Sequence, residues 1–343
     1  MKRRLLFKIT SIIAALFLLV SAASCGTARR PGPGGEDRQR QDGYDPRENA
    51  QVEKPPLPKG ISTGENQEPR LKVYIVEEKT VKEMPFEEYV AGVVGGEIKN
   101  DWPIEAIKAQ AIIARTFVLR FIADKGQSKY KNAHVSTDIE EAQAWDMKAV
   151  NDNIRNAVKA TRGQVIVFDD RFAYTWFHSN AAGKTATALE GMNYKEENPP
   201  YIKVVDSPDD SGDIPEDERN WTVEFPKSKV LEALNKTGRP MKGFSSASIG
   251  EKGPSGRAMT IKFDDEEVPA PELRIALGST EMKSTLLDEI SVNGDKVSIK
   301  GRGYGHGVGM SQWGAYSMAK NGKKADDIIS HYFKGVNIVK MWD

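Results

Sequence analysis

Gly301-Arg302-Gly303-Tyr304-Gly305-His306-Gly307-Val308-Gly309-Met310-Ser311-Gln312-Trp313-Gly314-Ala315 is the stretch on which the reading of the fold turns. Glycine at alternate positions from 301 to 309 strips side chains from one face of a strand or loop, so that a ligand or another backbone can come close. No window in it has the G-x-G-x-x-G spacing, so a dinucleotide-binding fold is not indicated. His306, Ser311, Gln312 and Trp313 follow, a set suited to hydrogen-bonding hydroxyls while an aromatic face covers an apolar sugar face. Tight backbone packing is the plainer reading, but packing alone does not require polar and aromatic groups beside the glycines, so a binding site is expected.

Working outward, Leu71-Lys72-Val73-Tyr74-Ile75-Val76 alternates as a strand does, and Pro85 opens a helix. Pro103 opens a second helix, from Ile104 to about Ile122, whose apolar arc holds Ala106, Ile107, Ala111, Ile113, Ala114, Phe117 and Val118. Gln110 falls inside that arc and needs a hydrogen-bond partner there. Lys108 and Arg115, seven residues apart, share one helix face, which periodicity alone reads as solvated. Further on, Gly163 to Phe168 and Ala258 to Phe263 alternate as strands, while Lys227 to Leu234 and Ala325 to Phe333 are amphipathic. Strands and helices alternate with neither a regular βαβ repeat nor a fixed internal period. The expected fold is α+β, a mixed sheet with helices in one large domain over residues 71–340.

Two more clusters hold unusual residues. In Val93-Val94-Gly95-Gly96-Glu97-Ile98-Lys99, paired glycines place a carboxylate on a bend between two helices. A carboxyl in a partly desolvated cleft has a raised pKa and donates a proton to a glycosidic oxygen, although most glutamates at such bends are plain helix-end charges. In Thr175-Trp176-Phe177-His178-Ser179-Asn180-Ala181-Ala182-Gly183-Lys184-Thr185, the Gly-Lys-Thr imitates a phosphate loop, but His178 stands where the first glycine is required. His178 and Ser179 are candidates to hydrogen-bond a sugar, against the alternative of a histidine satisfied within its turn.

The 343 residues suffice for one large or two medium domains, and 49 basic side chains cancel 49 acidic ones, so no global field draws the chain to nucleic acid. The single cysteine, Cys25, excludes an internal disulfide framework. Basic residues 2–4, the apolar run Ile9 to Val20 and small residues 21–24 read as an export signal ending at Cys25. Two anchors are open: acylation of Cys25, although Ala22 stands where a lipoprotein site usually has leucine, or an uncleaved span from Leu5 to Ser24. Residues 26–70 are rich in Pro, Gly and charge, and read as a disordered tether spanning roughly 35 to 40 Å. The expected location is the extracytoplasmic face of the cell membrane.

In this order, Glu87-Glu88-Tyr89-Val90-Ala91-Gly92-Val93-Val94 before Glu97, Glu105 to Ala111 running on to Ala114-Arg115-Thr116, the His178-Ser179 segment, Ser255-Gly256-Arg257 and the Gly305 to Ala315 signature resemble the stage II sporulation protein D family, shared with amidase-enhancer proteins of bacterial walls. The resemblance covers about residues 71 to 335. It implies a lytic transglycosylase that acts on peptidoglycan glycan strands stripped of stem peptides and leaves an anhydro sugar end without consuming water. It assigns the essential acid to Glu97, and it makes Lys108 and Arg115 important for activity, overriding the solvated-face reading. In a spore former it implies a peptidoglycan amidase and a septal membrane scaffold as partners. Some members bind zinc through a histidine and a Cys-Gln-x-Tyr-like segment; here His134 is present but the segment reads Ala142-Gln143-Ala144-Trp145, so neither metal nor other cofactor is expected. Met-Pro often follows the glutamate in the family, whereas Ile98-Lys99 follow here. The G-x-S-x-G and H-E-x-x-H signatures are absent. The competing expectation is a non-catalytic wall-binding module that stimulates an amidase.

Overall fold

A computed structural model describes residues 53–64, 67–209 and 212–343. The export segment, Cys25 and the greater part of the expected tether lie outside the described residues. Among those described, no helix is long and apolar enough to cross a membrane.

The first half runs β1 (Ser62–Thr63), β2 (Pro69–Ile75), β3 (Thr80–Pro85), α1 (Phe86–Glu97), α2 (Ile104–Lys125) and β4 (Val135–Ser136). After a 3-10 turn at Met147–Ala149 come α3 (Asp152–Ala160), β5 (Gln164–Phe168), β6 (Arg171–Phe172) and β7 (Phe177–His178). Then follow α4 (Ala188–Met192), α5 (Glu216–Arg219), β8 (Asn220–Pro226), α6 (Lys227–Lys236), β9 (Ala247–Ile249), β10 (Thr260–Phe263), β11 (Glu266–Pro269) and α7 (Ala270–Leu277). The chain ends with β12 (Leu287–Asn293), β13 (Lys296–Arg302), β14 (Met310–Ser311), α8 (Gln312–Lys320), α9 (Ala325–Tyr332) and β15 (Asn337–Lys340). The fold is α+β as expected, but the strands divide among several small sheets instead of one mixed sheet. Short strands broken by prolines and turns cannot extend a common ladder.

The expected tether boundary at residue 70 moves toward the N-terminus. Ser62–Thr63 pairs with Pro69–Arg70, and Leu57 and Ile61 pack against the core. The edge of β2 supplies hydrogen bonds that composition does not reveal, and two apolar side chains suffice to seat the segment there.

Helix α2 organises the interior. Ile107, Ala111, Ala114 and Val118 join one apolar cluster with α1, β2 and β5, while Ala106, Ala109, Ile112 and Ile113 join a second with β7, α8 and α9. On the face that periodicity reads as solvated, Thr116 is buried while Glu105 and Lys108 stay partly exposed. Arg115 on that face is fully buried. Gly126, with φ of 75°, closes the helix by donating its N–H to Ile122 O. A third cluster, from Trp221 to Ile299, is built by α6, α7 and the antiparallel sheets β9–β11 and β8/β12/β13.

The glycine-rich run is tied in by a two-residue parallel pair, Met310 with Phe177 and Ser311 with His178. Its glycines approach the protein itself. A Cβ on Gly305 (φ 108°) would lie 2.6 Å from His178 Cβ, and one on Gly309 (φ 71°) 2.0 Å from Trp176 O. At these two positions, of the ligand or backbone that the sequence leaves room for, it is the protein itself that comes close, and Ser311 Oγ and the Trp313 N–H both bond Ser179 O.

Candidate active site

Glu97 is the last residue of α1, not a residue on a bend, and the preceding glycines are helical. They are small because residues 144–146 cross directly over them. A Cβ on Gly92 would stand 2.2 Å from Trp145 Nε1, and one on Gly96 2.7 Å from the backbone of Ala144. The crossing segment is fastened by two backbone donors: Asp146 N–H to Gly92 O at 2.9 Å, and Ala144 N–H to Glu97 Oε1 at 2.6 Å. Gly96→Ala tests this packing. Alanine would gain up to about 1 kcal/mol in helix propensity, but overpacking against a backbone costs about 1–3 kcal/mol, so the thermal midpoint is expected to fall.

Glu97 keeps some solvent access as a residue, yet its carboxyl is packed by protein. Desolvation pushes its pKa up to about 8, against the opposing pull of the Ala144 N–H. Its place at a helix C-terminus, the negative end of the helix dipole, acts in the same direction as desolvation. At neutral pH the group is chiefly a neutral acid. Glu141, a carboxylate whose charge acts with that of Glu97 on Tyr89, accepts from Ser128 Oγ, the Lys129 N–H and Ser136 Oγ. Those bonds occupy it structurally.

The glycine-rich segment reaches Glu97 through α8. Ser311 caps that helix by accepting from Gly314 N–H, and its own hydroxyl donates to Asp209 Oδ1 at 2.5 Å. Gln312 Nε2 donates to Glu97 O at 2.9 Å and lies 3.4 Å from Gln110 Oε1. Gln110 thus meets a neighbouring helix, as its place in the apolar arc requires. Trp313 donates from its backbone to Ser179 O, and both its Nε1 and Ser179 Oγ donate to Glu218 Oε2, at 3.0 and 2.6 Å. The Trp313 ring packs against Trp102 and Tyr316 and is 3% exposed, so it offers no open face to a sugar. Lys99, exposed, sets its ammonium 5.0 Å from that ring.

Among the described residues, the other expected side chains make no hydrogen bond to the Glu97 carboxyl. Arg115 forks onto Glu87, Nη2 to Oε2 at 2.6 Å and Nε to Oε1 at 3.0 Å. Glu87 lies ten residues before Glu97, about 15 Å along the helix axis. Lys108, half-buried, pairs with Glu105 at 2.9 Å, and Glu105 also accepts from Ala325 N–H at the start of α9. His178 and His306 are buried with ring centroids 5.6 Å apart. Val308 meets both: its carbonyl accepts from His178 Nδ1, and its N–H donates to His306 Nδ1. Burial first, then neighbouring cationic side chains, hold His306 down at about 3, and burial holds His178 well below its ordinary value. Both rings are neutral at physiological pH. Among the described residues no hydrogen bond joins either to Glu97.

Sequence reasoning passed over Glu218, Asp209, Tyr89 and Gln143. Glu218 sits in Glu216-Asp217-Glu218-Arg219, which reads as solvated charge, and Tyr89 reads as core. No cluster of His, Cys, Asp and Glu able to hold a metal occurs among the described residues. His134 Nδ1 accepts from Lys72 N–H.

A family profile described as stage II sporulation protein matches residues 74–168, the span from β2 through Glu97 and the crossing segment to β5. The stage II sporulation protein D of Bacillus subtilis (strain 168) is 29% identical over 310 residues, 85% of either chain. That of Bacillus amyloliquefaciens is 31% identical over 285 residues, 78% of this chain and 77% of its own. An amidase enhancer of Bacillus subtilis (strain 168) is 26% identical over 300 residues, 72% of this chain and 40% of its own.

Proposed function

The chain belongs to the stage II sporulation protein D family, and from that premise we propose that it is a lytic transglycosylase of peptidoglycan glycan strands with Glu97 as its acid and base. One observation carries the reading: a carboxyl at a helix C-terminus, kept protonated by desolvation, with an N–H fastened to Oε1 and no hydrogen bond to Oε2 among the described residues.

The chemistry follows from that one group. Neutral Glu97 gives its proton to the glycosidic oxygen as the bond from that oxygen to the anomeric carbon breaks. The resulting carboxylate takes the proton of the C6 hydroxyl of the same sugar while O6 bonds to the anomeric carbon. The proton count closes on the enzyme, and the products are a free hydroxyl end and a 1,6-anhydro end. Water is not consumed. Glycoside hydrolysis uses two carboxyl groups, and the engagement of Glu141 by three donors favours the one-carboxyl scheme. Gln312 steadies the Glu97 backbone, and its neighbour Trp313 ties Ser179 and Glu218 to the same helix.

The leader and Cys25 would hold the enzyme at the outer face of the cell membrane, with a peptidoglycan amidase and a septal scaffold as partners in engulfment. The relative named amidase enhancer supports a second reading, a glycan-binding module that stimulates an amidase without cutting. Incubating the purified full-length protein with denuded glycan strands decides between them. The enzyme yields fragments with anhydro ends, 18 mass units (one water) below the hydrolytic product, whereas the module leaves strand lengths unchanged.

A further inference from the structure

A cleft of about 360 Å³ opens beside the start of α8. Asn180 and Ser207 are the buried part of its lining, while Gly183, Asn220 and Arg302 are exposed and leave it open to solvent. Ligand sites range over about 300–1,000 Å³, so a cleft at the small end suits one substituted sugar ring and not a folded partner.

The buried groups are satisfied by the protein. Asn180 Oδ1 accepts from the Ala182 N–H at 2.8 Å, its Nδ2 donates to Glu218 O at 2.9 Å, and Ser207 Oγ meets Tyr332 OH at 2.7 Å. Asp209, the one carboxylate on the lining, accepts from Ser311 Oγ at 2.5 Å and from the Gly183 N–H at 3.3 Å. The two arginines on the lining differ. Arg219 Nε is buried with no partner among the described residues, and its Nη2 pairs with the exposed Glu216 at 3.0 Å. Arg302 meets both oxygens of Asp288 through Nε alone, at 3.0 and 3.1 Å, so its two Nη groups make no hydrogen bond among the described residues. Exposed ion pairs of this kind contribute little, and neither commits its guanidinium. The lining thus holds two cations with unpartnered donors against one carboxylate that is already bonded. A planar guanidinium matches a planar carboxylate, so the ligand that completes the cleft is a carboxylate.

The cleft is joined to the acid through α8. Asp209 takes the Ser311 hydroxyl, and Gln312, the next residue, donates to Glu97 O. Two adjacent residues therefore link the lining to the Glu97 backbone, a short span for a polymer of linked sugars. Once its peptides are removed, a wall glycan strand has the lactyl carboxylate of its muramic acid sugars as its anion. With a stem peptide attached, the same carboxyl is an uncharged amide.

Resting on the glycan-cleaving reading above, we propose that this cleft is a subsite for the free lactyl carboxylate of a muramic acid sugar, with Arg219 and Arg302 as its anion-binding side chains. These two residues then set the preference for strands stripped of peptide. The probes are denuded glycan strands and the same strands with the lactyl carboxyls converted to methylamides, and binding is measured by calorimetry in full-length Glu97→Gln protein so that turnover does not intervene. The charged strand is expected to bind at least about tenfold more tightly, the discrimination of one charge-assisted hydrogen bond. Adding Arg219→Gln and Arg302→Gln together should erase the preference by weakening the charged strand alone. Should Arg219→Gln prevent folding, Arg302→Gln at its exposed position decides by itself, and should cut the preference to about threefold or less. Equal binding of the two strands overturns the proposal, and so does a preference that persists in the variants. Equal weakening of both strands together with a lowered thermal midpoint overturns it as well, because that is the mark of a structural role. If wild-type protein makes no anhydro ends yet keeps an arginine-dependent preference, the catalytic reading falls and the carboxylate subsite stands.

Discussion

Replacing Glu97 with glutamine is expected to lower the rate of anhydro-end formation by roughly 10²–10⁴-fold, the contribution of a positioned general acid and base. Glutamine keeps the shape of the side chain and an acceptor for the Ala144 N–H, so the crossing segment stays in place. What it lacks is the proton. Wild-type kcat/KM should be high while Glu97 is protonated and fall as pH rises through about 8. The variant should show no such limb. His178 and His306 add none near 6.5, because both are held neutral far above their own pKa values. The linked effect on stability has a definite sign. An acid whose folded pKa is raised stays protonated in the fold while the unfolded chain ionises, so stability falls as pH rises from about 4.5 to about 8 and then levels. Glu97→Gln removes that slope, and its thermal midpoint above pH 8 should equal or exceed wild type. A flat pH–rate profile in wild type, or unimpaired product formation by the variant, would sink the assignment.

The periodic elements were legible in the sequence because each depends on local spacing. Pro85 and Pro103 stand at the starts of α1 and α2, and the alternating runs at 71–76 and 163–168 became β2 and β5. What spacing does not carry is the partner across the gap. Arg115 read first as solvated and then, by resemblance, as important for activity; the residue that decides its placement is Glu87, twenty-eight positions away on another helix. Gly305 and Gly309 read as admitting a ligand or another backbone, and sequence cannot show that His178 and Trp176 are what comes close. Glu97 was legible through the glycines before it, although their purpose was to admit residues 144–146, a contact between segments with no common period.

The same long-range pairing sets the largest expected stability change in the chain. Arg115 is fully buried, and its guanidinium bonds both oxygens of Glu87 and also donates to Gln164 O at 2.9 Å, while Glu87 Oε1 further accepts from Gly163 N–H and Trp342 Nε1. One ion pair therefore joins α1, α2, the start of β5 and the C-terminal segment. Arg115→Ala removes the cation and leaves a mostly buried carboxylate with neutral donors only, at a cost of about 3–5 kcal/mol. Domains of this kind have about 5–15 kcal/mol in all, so denaturant titration should show the variant's midpoint well below that of wild type. Arg115→Lys keeps the charge but not the planar fork, leaving Gln164 O unpaired, and should lie between the two. Arg115→Met with Glu87→Met removes the unpaired charge but strands the Gly163 N–H, Trp342 Nε1 and Gln164 O, so it should recover only part of the loss. The role is separable from substrate binding by temperature. At low temperature, where the variants remain folded, kcat per folded molecule should approach wild type. A variant that is fully stable yet catalytically dead would place Arg115 on the substrate instead.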